Sequence, residues 1–230
     1  MQAIILAGGL GTRLHPFTQV IPKPLLPVGD RSVLEIQIEH LKKYGINEIY
    51  FAANYKADLL KTYFGNGKKY GVKIYYSIEH KKLGTCGPIS LLKDKLKKTF
   101  LVLNGDVLTN INLTKAYNYH VDNGGMLTVV SKEVTFPLSY GNLKTKRDRI
   151  IKIVEKPDIK VEVAVGIYFM SNEILNYIPY NKHFGMDGLI KKMIKEKKEV
   201  FRYKMDEYWI DIGKMEDYTK VQEDYERHLK

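Results

Sequence analysis

Cysteine is almost missing: Cys86 stands alone among 230 residues. That excludes an internal disulfide and suits a reducing compartment, so a cytoplasmic location is expected. No apolar run reaches the ~18 residues that a membrane span requires. The amino terminus, MQAIILAGG, has neither a basic start nor a cleavage site, so it does not read as a signal peptide. Internal repeats, low-complexity tracts and linkers are absent too. The six histidines show no metal-ligand spacing. No zinc finger or RNP-like motif is present, so neither nucleic acid nor membrane is an expected partner.

Positive charge is abundant. Lysine and arginine number 37 against 26 acids, a net charge of +11. Such a balance favours anionic partners, including phosphorylated small molecules. The lysines come in scattered pairs (Lys42-Lys43, Lys97-Lys98, Lys191-Lys192 and others) and read mostly as a solvated surface.

The first half of the chain alternates. Gln2 to Ala7, Glu48 to Ala53, Lys73 to Ile78 and Phe100 to Leu103 read as strands. Helices are expected over Ser32 to Tyr44, Lys56 to Phe64 and Pro88 to Leu96. Pro88 suits a first helical turn, and Gly45 a helix stop. The second half holds strands at Met126 to Ser131, Ile150 to Val154, Val163 to Met170 and Val200 to Tyr203. Helices are expected there at Leu113 to Val121, Met186 to Glu196 and Glu216 to Leu229. The pattern predicts an α/β fold with a mixed, mostly parallel sheet, and an extension closing over the sheet's edge. Ligands of open α/β sheets bind beyond the carboxyl ends of strands. Four places qualify: the turn after Ala7, Asn54-Tyr55, the loop Glu79 to Gly87, and Asn104-Gly105-Asp106.

The turn after Ala7 is the most informative. It reads LAGGLGTRL, from Leu6 to Leu14. Clustered glycines let backbone N–H groups converge into an anion nest. Arg13 adds a permanent, forked cation. No Walker A sequence is present, and a dinucleotide fingerprint fails because Leu14 stands where its third glycine belongs. Lys23 follows, held between Pro22 and Pro24. A stiffened lysine beside Arg13 makes sense if both face developing negative charge.

The stretch GGLGTRLHPFTQVIPKPLLPVG closely resembles the signature of the sugar-nucleotidyltransferases, or nucleotide-sugar pyrophosphorylases. The similarity continues through Leu83-Gly84-Thr85-Cys86-Gly87-Pro88, Leu103-Asn104-Gly105-Asp106, Tyr140-Gly141, Glu155-Lys156-Pro157 and Trp209-Ile210-Asp211-Ile212-Gly213. Met215 replaces the usual proline of the last segment. Within the family the chain is most similar to mannose-1-phosphate guanylyltransferases.

The resemblance implies a Rossmann-like three-layer sandwich of the nucleotide-diphospho-sugar transferase type. It implies one nucleotidyltransferase domain over 1–230, with a nucleotide part at about 1–110 and a sugar-phosphate part at about 111–230. The implied partners are a nucleoside triphosphate and a sugar 1-phosphate, with a homodimer as a further possibility. The implied reaction joins them into a nucleotide sugar and releases pyrophosphate, for surface-glycan precursors. Arg13 and Lys23 would be catalytic. Leu6, Ala7, Gly8, Gly9, Gly11, Thr12, Glu79, Gly84, Thr85, Asn104 and Gly105 would join them around the nucleotide. Gly141, Glu155, Lys156 and Gly166 would meet the sugar phosphate, and Asp106 and Asp211 would hold Mg²⁺. LGTCGP points to GTP, with Glu79 accepting from the guanine N1–H and N2–H₂. UTP, dTTP, CTP and a non-sugar phosphate acceptor stay open. Ala164 stands where the family commonly has an asparagine, which leaves the sugar open. A catalytically silent binding subunit would be expected to lack Arg13, Lys23 or an aspartate, and all are present.

Overall fold

The computed structural model describes residues 1–54 and 56–230. Tyr55, named above with Asn54, lies outside the described residues. In chain order, β1 (Gln2–Leu6) is followed by α1 (Phe17–Val20), β2 (Pro27–Val28), β3 (Arg31–Ser32), α2 (Val33–Lys43) and β4 (Glu48–Ala53). Next come α3 (Ala57–Phe64), β5 (Lys73–Ile78), β6 (Thr99–Asn104), β7 (Val107–Thr109), α4 (Leu113–Asn123) and β8 (Leu127–Pro137). The chain continues with β9 (Asn142–Lys146), β10 (Arg149–Val154), β11 (Asp158–Ser171), α5 (Met186–Lys195), β12 (Val200–Lys204), β13 (Trp209–Asp211) and α6 (Met215–His228).

Among these residues seven strands form the central sheet, in the order β12-β8-β11-β6-β1-β4-β5. β1 pairs in parallel with β4 and β6, β4 with β5, and β8 with β12. β11 alone runs the other way, between β6 and β8. The strands are apolar on both faces, as buried sheets require. Ala3 and Ile5 face one side with Ile49, Phe51, Leu101 and Leu103, where they meet α2, α3 and α4. Ile4 faces the other with Ala52, Phe100 and Val102, against α5 and the segment Gly87–Leu92. A third cluster joins Leu14, Leu26 and Val28 to Ile210, Ile212, Val221 and Tyr225, tying α6 to the amino-terminal turn. This is the expected three-layer α/β sandwich. No helix among the described residues is long and apolar enough to cross a membrane.

Two expectations need correction. Gly87–Leu92 is a 3-10 helix rather than an α-helix through Leu96. Its first turn is pinned from outside: the N–H groups of Cys86 and Gly87 both donate to the Phe184 carbonyl at 3.0 Å. The later extension also does not close over the sheet's edge. β8 and β11 run on past the sheet as a two-stranded ribbon, and the β9–β10 hairpin continues it outward. Alternation persists through Val134 and Phe136, which lengthens β8 beyond Ser131.

Helix α2 places one end of the site. Ser32 accepts from the Glu35 N–H at 3.3 Å, and Glu35 accepts from the Ser32 N–H at 2.7 Å, a capping box. From this helix the buried Gln37 donates through Nε2 to the carbonyls of Asn104 (2.9 Å) and Val107 (2.5 Å). It thereby fixes the turn that carries Asp106. Gln37→Leu keeps the volume but strands both carbonyls, and is expected to destabilise the fold by about 1–3 kcal/mol. Urea melts of the two proteins check this, and equal midpoints would show that the turn holds itself.

Candidate active site

The glycine turn leaves β1 at the place where chain connections diverge to β4 on one side and β6 on the other. Such switch points open crevices beyond the carboxyl ends of the strands. A cavity of about 480 Å³ lies there, within the usual range for small-molecule sites. Its floor is the turn itself, Gly8 to Arg13. Gly11 adopts φ +63°, and a Cβ there would lie 2.8 Å from the Thr18 side chain. Thr18 in turn donates its hydroxyl to the Gly11 carbonyl at 2.7 Å. The glycine is thus required by both conformation and space.

One wall comes from β6 and the segment after Pro22. Lys23 opens a 3-10 turn, Lys23–Leu25, and is only 8% exposed. Its ammonium forms an ion pair with Asp106 and lies 3.9 Å from Asp211 Oδ1. The two aspartates are 105 positions apart in sequence. They converge because β13 pairs antiparallel with β7, setting Asp211 opposite Val107. The Ile212 N–H also donates to the Asp106 carbonyl at 3.0 Å. Burial and the neighbouring Asp106 charge push the Asp211 carboxyl up to about 6, against the opposing pull of Lys23 and Arg13. Arg13 closes this end, its guanidinium near Gly213, where a Cβ would stand 3.6 Å away.

The opposite wall is Glu79, Lys82, Leu83, Gly84, Thr85, Pro88 and His183. Glu79 is buried and held from several directions. Its N–H donates to the Ala53 carbonyl at 2.9 Å, its carbonyl accepts from Asn54 Nδ2 at 2.9 Å, and its Oε2 accepts from the Leu83 N–H at 3.1 Å. Oε1 lies over Gly8, 2.9 Å from where a Cβ would be. Burial raises the Glu79 carboxyl above its ordinary value. Thr85 Oγ1 is occupied, accepting from the Met186 N–H at 2.9 Å. Gly84, at φ +79°, allows the Phe184 backbone to approach, since a Cβ would lie 2.7 Å from that carbonyl.

Twelve of the residues named from the sequence meet in this one cavity: Leu6, Gly8, Gly9, Gly11, Thr12, Arg13, Lys23, Glu79, Gly84, Thr85, Asn104 and Asp106. Asp211 adjoins them through Lys23. Ala7 and Gly105 sit behind the cavity: the Ala7 N–H donates to Ala52, and the Gly105 N–H to Leu6. Gly166, at φ +76°, lies where β11 is irregular, and a Cβ there would meet the Asn104 side chain at 2.6 Å. Gly141, Glu155 and Lys156 are elsewhere. They lie at the base of the β9–β10 hairpin and contribute nothing to the cavity wall. Trp209 is an anchor, donating Nε1–H to the Val165 carbonyl at 2.9 Å. His183 and Lys82 line the cavity without having been singled out. His183 is placed by the backbone of its neighbour Phe184, which donates to Leu83 (2.8 Å) and accepts from Cys86 and Gly87, contacts that no local pattern announces.

Among the described residues no three acid, histidine or cysteine side chains gather as a ready-made metal site. Two do, and Asp211 Oδ1 is buried with no hydrogen-bond partner. An orphaned carboxylate oxygen beside a second carboxylate fits a hard cation that takes its other ligands from phosphate and water.

Taken together, a glycine turn, two cations and two acids at a switch point define an α/β domain suited to a bound polyphosphate. The chain belongs to the nucleotidyl transferase family, whose pattern it matches over residues 2–228. It is 34% identical over 241 residues to a UTP–glucose-1-phosphate uridylyltransferase of Synechocystis, covering 96% of this chain and 62% of that protein. It is also 34% identical over 227 residues to the mannose-1-phosphate guanyltransferase of Saccharomyces cerevisiae, covering 95% of this chain and 63% of the yeast protein. The chain thus spans somewhat under two thirds of these relatives. Among solved structures, HddC from Yersinia pseudotuberculosis superposes with a TM-score of 0.78 at 29% identity, covering 97% of this chain and 99% of that one. HddC has also been solved in complex with GMP-PN.

Proposed function

We propose that this chain condenses a nucleoside triphosphate, GTP by preference, with a sugar 1-phosphate, releasing pyrophosphate. The observation that carries this reading is the single cavity that joins the glycine turn and Arg13 to the Lys23–Asp106–Asp211 cluster. Two phosphorylated anions must be brought together in line, so positioning and charge neutralisation supply most of the catalysis. The turn's N–H groups and Arg13 hold the triphosphate and the departing pyrophosphate. Lys23 faces the α-phosphate, where negative charge grows as a phosphate oxygen of the sugar attacks. Asp106 and Asp211 are the residues that would hold Mg²⁺, which when bound would neutralise phosphate charge.

GTP rests on Glu79 and on the guanyltransferase and HddC relatives. With Oε2 held by the Leu83 N–H, the Glu79 carboxylate keeps Oε1 for the cavity. The N1–H and N2–H₂ edge of guanine presents adjacent donors to such a group, and uracil has no match for the pair. Glu79→Gln is expected to lower kcat/KM for GTP about 10–100-fold, the worth of a hydrogen bond to a charged group. It should also shrink the preference for GTP over ITP, whose base lacks the N2 amine.

Pyrophosphate release with Mg²⁺, crossing GTP, UTP, dTTP and CTP with a panel of sugar 1-phosphates, tests the whole reading. Release strongest with GTP is the expected result. Release strongest with another base would end the guanine reading while keeping the chemistry. The 1-phosphates of mannose, glucosamine and heptoses lead the panel.

A further inference from the structure

The proposed reaction gives no role to His183, although the residue lines the cavity. Among the described wall residues, only His183 and Gly213 come from the second half of the chain. Gly213 stands beside Arg13, at the phosphate cradle. His183 belongs to the opposite wall, with Nε2 3.3 Å from where a Cβ on Gly84 would be.

The ring is carried there by a built seam. Segment 181–186 is stitched to segment 83–90 on both sides of His183. The Asn181 N–H donates to Ser90 Oγ at 3.1 Å, the Phe184 N–H to the Leu83 carbonyl at 2.8 Å, and the Met186 N–H to Thr85 Oγ1 at 2.9 Å. A second close approach makes the seam possible: a Cβ on Gly87 would fall 2.4 Å from the Lys182 carbonyl. The backbone around His183 is therefore fixed, while its side chain is uncommitted. Among the described residues the ring has neither a hydrogen-bond partner nor an ion pair.

The order of groups along this wall matches one base edge. Glu79 Oε2 accepts from the Leu83 N–H at 3.1 Å, and Oε1 is left for the cavity. The next residue is Gly84, over which His183 reaches. An acceptor and a ring able to donate are thus set at consecutive positions of one loop. Guanine presents two donors, N2–H₂ and N1–H, and then the O6 acceptor. Adenine and cytosine place an amine where guanine has its keto oxygen, so a donor would face a donor.

We infer that His183 selects the base, its Nε2–H donating to guanine O6 while Glu79 accepts from N1–H and N2–H₂. This builds on the guanine reading and fails with it. A histidine nitrogen donates or accepts according to its tautomer, and a keto oxygen is met by the Nε2–H form. Lys82 lines the same cavity but suits the role less well. It is a point charge on a flexible stem, which would attract an anion without fixing a direction.

Equilibrium binding of GTP and 6-thio-GTP to the full chain, with Mg²⁺ present, tests the inference. The thio analogue keeps both guanine donors and replaces O6 with sulfur, a weak acceptor. The native chain is expected to bind GTP about 10-fold more tightly than the analogue, the worth of one hydrogen bond. His183→Ala should weaken GTP about 10-fold, leave 6-thio-GTP nearly unchanged and so erase the preference. Inorganic tripolyphosphate, which has no base, should bind the native chain and the variant alike, whereas damage to the cavity would weaken it. Lys82→Ala should keep the native preference. Three results would overturn the inference while the guanine reading stands: a native chain that does not distinguish GTP from 6-thio-GTP, a preference that survives His183→Ala, or a preference lost in Lys82→Ala instead. A native chain that binds UTP or dTTP more tightly than GTP would overturn both.

Discussion

Lys23→Ala is expected to lower turnover about 10²–10³-fold, the usual effect of deleting a preorganised group aimed at developing charge. The expected change in nucleotide KM is much smaller. The reason is placement. Lys23 is nearly buried at the start of a 3-10 turn and flanked by Pro22 and Pro24, so it has little freedom. It is held by an ion pair with Asp106 and lies 3.9 Å from Asp211 Oδ1. That position suits charge that appears during reaction better than charge already carried by the triphosphate. Steady-state kinetics separates the two cases. A raised KM with unchanged kcat would assign Lys23 to ground-state binding.

Asp106→Asn is expected to remove at least about 10³-fold of the Mg²⁺-dependent turnover. The fold should persist, because Asp106 belongs to none of the apolar clusters and its backbone contact with Ile212 is untouched. The substitution also removes one of the three causes, beside burial and the Asp217 charge, that hold the Asp211 carboxyl near 6. Pyrophosphate release across a range of Mg²⁺, together with a circular-dichroism melt, checks both halves. Full activity at any Mg²⁺ concentration would take Asp106 out of the proposed metal site.

Much of the scaffold was legible because its signals are local. Ser32 and Glu35 mark the start of α2, and apolar runs mark β1, β4 and β6. The glycine turn announced an anion site through conformation and charge, and its residues do line the cavity. What stayed hidden depends on contacts distant in sequence. The 3-10 form of Gly87–Leu92 follows from a carbonyl at Phe184. β9 was unreadable because Asn142–Lys146 is polar and alternates against nothing buried. The meeting of Asp106 with Asp211 rests on β7 and β13, three residues each, too short to carry a pattern. Only the family resemblance joined those two aspartates beforehand.

That short β7–β13 pair has a consequence for the order in which the protein is made. During synthesis the glycine turn, Arg13, Lys23 and Asp106 all leave the ribosome long before Asp211. Until β13 emerges, a growing chain carries the glycine turn and Asp106 without the second aspartate. On the proposed reading, an unfinished copy lacks one of the two carboxylates that would hold Mg²⁺. The strand that completes the acid pair is thus the last strand of the chain.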